Sequence, residues 1–189
     1  AQLRTYADEF PAAFRYNVLC LVSDGITAKY GTMFTPYEHF APWNVDGEGT
    51  PVDTASPTYD GPESLVLALH GLFDQARFLN FAGDGKRISK PHQYFAVRAA
   101  LDAVVEASRT NGQAGVVWHT QGSGKSEEMV CLSGLVVREP ALNNPTIVVV
   151  TDRTDLDDQL LDTFKAGHAL LGAQPFQVES RRQLRETLT

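Results

Sequence analysis

Gly115-Val116-Val117-Trp118-His119-Thr120-Gln121-Gly122-Ser123-Gly124-Lys125-Ser126 is the stretch whose reading decides the fold. The apolar run from Gly115 to Trp118 reads as a buried β-strand. A glycine-rich loop follows, then a helix that opens at Gly124 or Lys125 and runs toward Val137. Strand, loop and helix in that order are the context that a phosphate-binding loop requires. Gly122 and Gly124 can take backbone angles closed to other residues, so that successive N–H groups converge on one anion. The helix start aims its unpaired N–H groups and positive dipole end at the same point. Lys125 adds a cation able to reach β and γ phosphates, and Ser126 offers a hydroxyl to a bound Mg²⁺. A bare Gly-x-Gly would be read as a turn and nothing more; Lys-Ser at the helix start, directly after an apolar strand, favours a nucleotide site.

The general pattern of such loops has a glycine five residues before Gly124, and here that residue is His119. Motor ATPases of the helicase type tolerate a non-glycine there, whereas small kinases and GTPases usually keep the glycine. The loop therefore points toward the motors.

Working outward, 189 residues suit one domain or one and a fraction and are enough for a real core. A hydrophobic content of 43% with 21% charged residues is ordinary for a soluble globular chain. No apolar run approaches membrane-spanning length, and no basic-then-apolar leader opens the chain. Cys20 and Cys131 stand singly in apolar surroundings, which reads as buried free thiols in a reducing, cytoplasmic setting. A net charge of −7 argues against the chain as a whole binding polyanions nonspecifically, while leaving room for a local DNA-contacting strip.

Upstream of the loop, Gln2 to Phe14 has helical character, ended at or soon after Pro11. Asn17 to Val22 reads as a buried strand, Ser23-Asp24-Gly25 as a turn, and Ile26 to Phe34 as the second arm of a β-hairpin. Thr35 to Pro62 is rich in proline and glycine and reads as a long irregular connection, pinned by Phe40 and Trp43. Amphipathic helices are expected over Glu63 to Phe81 and from His92 to about Ser108, separated by Ala82-Gly83-Asp84-Gly85 and a basic turn from Lys86 to Pro91. Downstream, Thr146 to Thr151 is a β-branched run like a parallel strand covered on both faces. Leu156 to Phe164 reads as a helix with Asp155 as a candidate N-cap. Phe176 to Val178 reads as a third strand and Ser180 to Leu188 as a last helix. That order is a doubly wound α/β core. A nucleotide hydrolase of this class also needs an acidic residue after a later strand, and no Asp-Glu pair follows an apolar strand here.

Two long motifs then become recognisable: Trp118 to Ser126, and Val149-Val150-Thr151-Asp152-Arg153-Thr154-Asp155-Leu156-Asp157-Asp158-Gln159-Leu160. With His92-Gln93-Tyr94-Phe95-Ala96-Val97, Leu21 to Gly25 and Tyr30-Gly31-Thr32, they resemble the R subunit of type I restriction-modification enzymes. The resemblance implies an ATP-driven double-stranded DNA translocase of the superfamily 2 helicase type, fused to an N-terminal PD-(D/E)xK nuclease. It also implies partnership with methyltransferase and specificity subunits, in the cytoplasm. The implied fold is α/β: a P-loop (RecA-like) parallel-sheet core, incomplete, preceded by a β-hairpin remnant of the nuclease domain. Residues 1–34 would end the nuclease, 35–62 connect, and 63–189 begin the motor.

By the same resemblance His119, Thr120, Gln121, Gly122, Ser123, Gly124, Lys125 and Ser126 form the motif that holds ATP and Mg²⁺, with Lys125 as the catalytic cation. Gln93 would read adenine, or else be a plain helix-surface residue. Arg153 and Thr154 would lie against the DNA backbone, or serve with Asp155 only at a helix start. Gln2 and Tyr6 fit a Q-x-x-x-Y element that follows the nuclease metal ligands. The Asp and Glu-x-Lys that hold Mg²⁺ for phosphodiester cleavage are absent from these residues, so this stretch is expected not to cut DNA; with the later acidic residue and the second motor domain also missing, it is expected to bind ATP weakly at most. Two other classes stay open: a superfamily 2 DNA-dependent ATPase without a restriction role, and a truncated noncatalytic nucleotide-binding or assembly module.

Overall fold

The computed structural model describes residues 2–14, 17–74, 88–152 and 154–188. The chain divides into two compact units, Ala1–Phe95 and Ala96–Thr189.

In the first unit, helices α1 (Gln2–Glu9) and α2 (Pro11–Phe14) come first. Pro11 therefore opens a second helical turn instead of ending the first, as its fixed φ and missing N–H allow at a first helical position. The expected hairpin is present. Strand β1 (Cys20–Ser23) pairs antiparallel with β2 (Ala28–Gly31), with Cys20 opposite Gly31 and Ser23 opposite Ala28. Both strands are shorter than their apolar runs. The turn is held by the Asp24 carboxylate, which accepts the backbone N–H groups of Ile26 (3.0 Å) and Thr27 (2.7 Å). Those bonds hold the Asp24 carboxyl below its ordinary value.

The connection after β2 is irregular but well tied. Tyr30 and Ala41 exchange backbone hydrogen bonds of 2.9 and 3.0 Å, which adds a third short rung to the hairpin. Phe40 and Trp43 are buried, as their place in the loop led one to expect. Helix α3 (Ser64–Phe73) packs on β2. The further course of the helix expected to Phe81, its stop at Ala82 to Gly85, and the basic residues Lys86 and Arg87 lie outside the described residues.

Ala28, Tyr30, Trp43, Val45, Ala68 and Leu72 form the core of this unit, with Leu19, Leu21, Leu65, Ile88, Tyr94 and Phe95 packed around them. Ser64 joins its pieces. Its buried hydroxyl donates to Asn44 Oδ1 at 2.7 Å and accepts the Ala28 N–H at 3.2 Å. Removing that hydroxyl leaves both groups short of a partner, and Ser64→Ala is expected to cost about 1–3 kcal/mol. A urea midpoint unchanged from the parent would contradict it.

Tyr30 is buried, with its hydroxyl donating to the Ser89 carbonyl at 2.8 Å, and burial pushes the phenol well above its ordinary value. The sign of the linkage follows. The folded value lies above the unfolded one, so the phenol's contribution is intact below about pH 10 and is lost as pH rises beyond it. Urea midpoints measured from pH 8 to 11.5 are expected to fall more steeply in the parent than in Tyr30→Phe. Parallel profiles would contradict a buried phenol.

The second unit is helical. Helix α4 (Pro91–Arg109) starts with residues of the first unit and continues from Ala96 in this one. Helices α5 (Lys125–Arg138), α6 (Thr154–Ala166) and α7 (His168–Leu171) pack on one another, and α8 (Arg181–Leu188) follows. Val130 and Phe164 are buried here, and Gly167 lies against the Val130 side chain. Helix α6 opens at Thr154, so Asp155 is its second residue and not its N-cap; in sequence the two positions look alike.

The expected parallel sheet needs correction. Among the described residues β1 and β2 make the one sheet, and Gly115–Trp118, Thr146–Thr151 and Phe176–Val178 carry no strand. No backbone hydrogen bond joins these three segments to one another. Val116 is 90% exposed, Trp118 88% and Val150 86%, so the segments are open rather than buried. A parallel strand is stable only when neighbours take its N–H and C=O groups and helices cover its faces. The three segments do not supply that for each other. What holds the second and third near α6 is Asp157, whose carboxylate accepts from Thr151 Oγ1 at 3.4 Å and from the Gln177 amide. Among the described residues no helix is long and apolar enough to cross a membrane.

Candidate functional site: the glycine loop at the start of α5

The loop has the backbone that its glycines foretell. Gly122 and Gly124 have φ of 77° and 89°, in the left-handed region where a Cβ is strained. Gly124 is the N-cap of α5, and no side chain caps that helix start. The Gly124 carbonyl takes the Glu127 and Glu128 N–H groups, which leaves those of Lys125 and Ser126 for a partner from outside the helix. Inside the loop, Ser123 N–H donates to the Thr120 carbonyl at 3.3 Å and Glu127 N–H to the Gly124 carbonyl at 3.0 Å.

Lys125, exposed at the first position of α5, folds back over the loop. Its Nζ donates to the carbonyls of Thr120 (2.8 Å) and His119 (3.1 Å). The ammonium therefore rests on the carbonyls where the chain enters the loop. Ser126, half-buried, is next on the helix; Thr120 and Gln121 are exposed.

One partnership was not foreseen from the sequence. Glu128, buried at 6% exposure in the first turn of α5, meets His119 across the loop: Nδ1 lies 2.8 Å from Oε1 and 3.0 Å from Oε2. An ionised carboxylate only accepts, so the imidazole Nδ1 carries the proton it donates. The signal was present: a histidine at a glycine position, and an acid one helical turn after the loop's lysine, on the same side of the helix.

Gln2, Tyr6, Gln93 and Thr154, also singled out from the sequence, belong to other helices. Gln93 belongs to the first unit, where its Oε1 accepts the Lys90 N–H at 2.8 Å, closing the start of α4 from its third position. Gln2 is the first residue of α1 and Tyr6 lies exposed on the same helix. Thr154 opens α6, and Arg153 lies outside the described residues. Cys20 and Cys131 are free and half-buried rather than fully buried, and burial raises the Cys20 thiol above its ordinary value.

The loop thus joins an uncapped helix start, two left-handed glycines and a lysine folded over its carbonyls. Residues 92–189 match the SWI2/SNF2 ATPase family model, and the chain belongs to that family. It is also a relative of type I restriction R subunits. It is 42% identical over 199 residues to the Type I restriction enzyme HindI endonuclease subunit of Haemophilus influenzae, across 99% of this chain and 19% of that protein. It is 30% identical over 184 residues to the Putative type I restriction enzyme MjaIXP endonuclease subunit of Methanocaldococcus jannaschii, across 86% of this chain and 18% of the relative. A third, the SsaAORF53P endonuclease subunit of Staphylococcus saprophyticus, is 25% identical over 169 residues. The chain spans about a fifth of the length of these relatives. No solved structure matches it.

Proposed function

We propose that this chain carries the ATP phosphate-binding loop of a type I restriction R subunit, a motor that hydrolyses ATP to pull double-stranded DNA and cleaves it endonucleolytically. The observation that carries the reading is the loop itself: Gly122 and Gly124 in left-handed conformations, with Lys125 Nζ held over the carbonyls of His119 and Thr120. An incoming phosphate takes the ammonium from those carbonyls and meets the N–H groups of Lys125 and Ser126 at the start of α5. Ser126 then faces the Mg²⁺ that accompanies the nucleotide. The likeness to restriction subunits runs through both units, which supports that reading over a motor ATPase with no restriction role.

In the whole protein, residues 1–34 would close the nuclease domain with the β1–β2 hairpin, 35–62 would connect, and 63–189 would begin the RecA-like motor domain. Gln93 reads the adenine, Arg153 and Thr154 touch the DNA backbone, and Gln2 and Tyr6 serve the nuclease. Methyltransferase and specificity subunits are the partners, and the setting is the cytoplasm. Calorimetric titration of the chain with Mg²⁺-ATP tests the site. Saturable binding is expected; no heat of binding at millimolar nucleotide would remove the reading.

A further inference from the structure

We propose that His119 and Glu128 act as a pair of positioning residues that fix the limb of the loop entering the phosphate site; this rests on the nucleotide reading above. His119 is tied to α5 at both ends. Its side chain donates to the Glu128 carboxylate, and its main-chain carbonyl accepts from Lys125 Nζ. Both partners are in the first turn of α5. Glycine at this position would give the loop its turn but no such anchor.

The surroundings show why an anchor is needed. Val116 and Trp118, which lead into the loop, are almost fully exposed, and no backbone hydrogen bond ties their segment to the other two. The Glu128 carboxylate is 7% exposed and the His119 ring 20%, so the pair is sheltered from competing water. A buried carboxylate demands a donor, and the imidazole supplies it. The pair thereby sets where the His119 carbonyl stands, and with it the resting place of the Lys125 ammonium.

The discriminating experiment pairs two readouts, Mg²⁺-ATP affinity by calorimetry and the thermal midpoint, over five variants of the chain. His119→Asn places an amide N–H where Nδ1 stands and is expected to keep affinity within about threefold. His119→Leu and Glu128→Leu are each expected to lose roughly tenfold. In the double variant no carboxylate is orphaned, so the midpoint is expected to recover, while affinity stays about tenfold down because the anchor is gone. Affinity that follows the midpoint through the whole series would make the pair merely structural and overturn the inference. Parent-like affinity in both leucine variants would overturn it too. Lys125→Ala separates the levels: if the parent does not bind, or Lys125→Ala binds as well as the parent, the nucleotide reading fails and takes this inference with it. If Glu128→Leu does not fold, His119→Leu against His119→Asn decides, since both leave α5 untouched.

Discussion

Lys125→Ala is expected to weaken Mg²⁺-ATP binding by roughly ten- to a hundredfold, with the thermal midpoint almost unmoved. The magnitude follows from charge-assisted hydrogen bonds to phosphate, which contribute about 1.5–3 kcal/mol. The small effect on stability follows from where the side chain rests. Lys125 is exposed, and its ammonium bonds two loop carbonyls that water can serve equally well. Phosphate binding asks more of it, because an anion in the loop has few other cations near it in the chain segment from 119 to 126. Lys125→Arg is the informative companion. Arginine keeps the charge but carries a broad planar fork in place of a compact ammonium, so partial binding is expected. Equal ATP affinity in parent and Lys125→Ala, measured by titration at fixed Mg²⁺, would refute the site.

How much of this was legible beforehand depends on what each feature rests on. The hairpin was legible because Ser23-Asp24-Gly25 is local chemistry: an aspartate that bonds the backbone just ahead of it, next to a glycine with φ of 98°. The bend of the loop was legible for the same reason, since Gly122 and Gly124 are the residues that permit it. The open course of segments 115–118, 146–151 and 176–178 was not. Thr146 to Thr151 reads as buried from its composition, but burial depends on neighbours in space, and Val150 is 86% exposed. Gln93 shows the same limit from the other side. Its resemblance to an adenine-reading residue and its hydrogen bond to Lys90 N–H at the start of α4 are compatible, and only the second is a local fact. The His119–Glu128 pair was missed because nine positions and a reversal of the backbone separate its members, which no helical or strand period connects.

Trp43→Ala is expected to cost the first unit about 3–5 kcal/mol, the largest loss from any single truncation there. Trp43 is 1% exposed and stands at the centre of an aromatic group, with ring centroids 5.9 Å from Tyr30, 6.3 Å from Phe95 and 6.4 Å from Tyr94. It comes from an irregular segment, so its burial is what turns a proline-rich connection into part of the core. On its other side lies Gly71 of α3, where a Cβ would collide with the indole nitrogen and its ring carbons. Gly71→Ala therefore tests the same packing by overfilling it. Alanine is ordinarily the better helix former by about 1 kcal/mol, so at an unconstrained helical position the change would stabilise. Here the clash is expected to win, because Trp43 is enclosed by Tyr30, Tyr94 and Phe95 and cannot step aside without moving a ring. Circular dichroism through a urea gradient reads both variants. A higher midpoint in Gly71→Ala would mean that the indole does not rest against α3, and the core drawn around it would have to be redrawn.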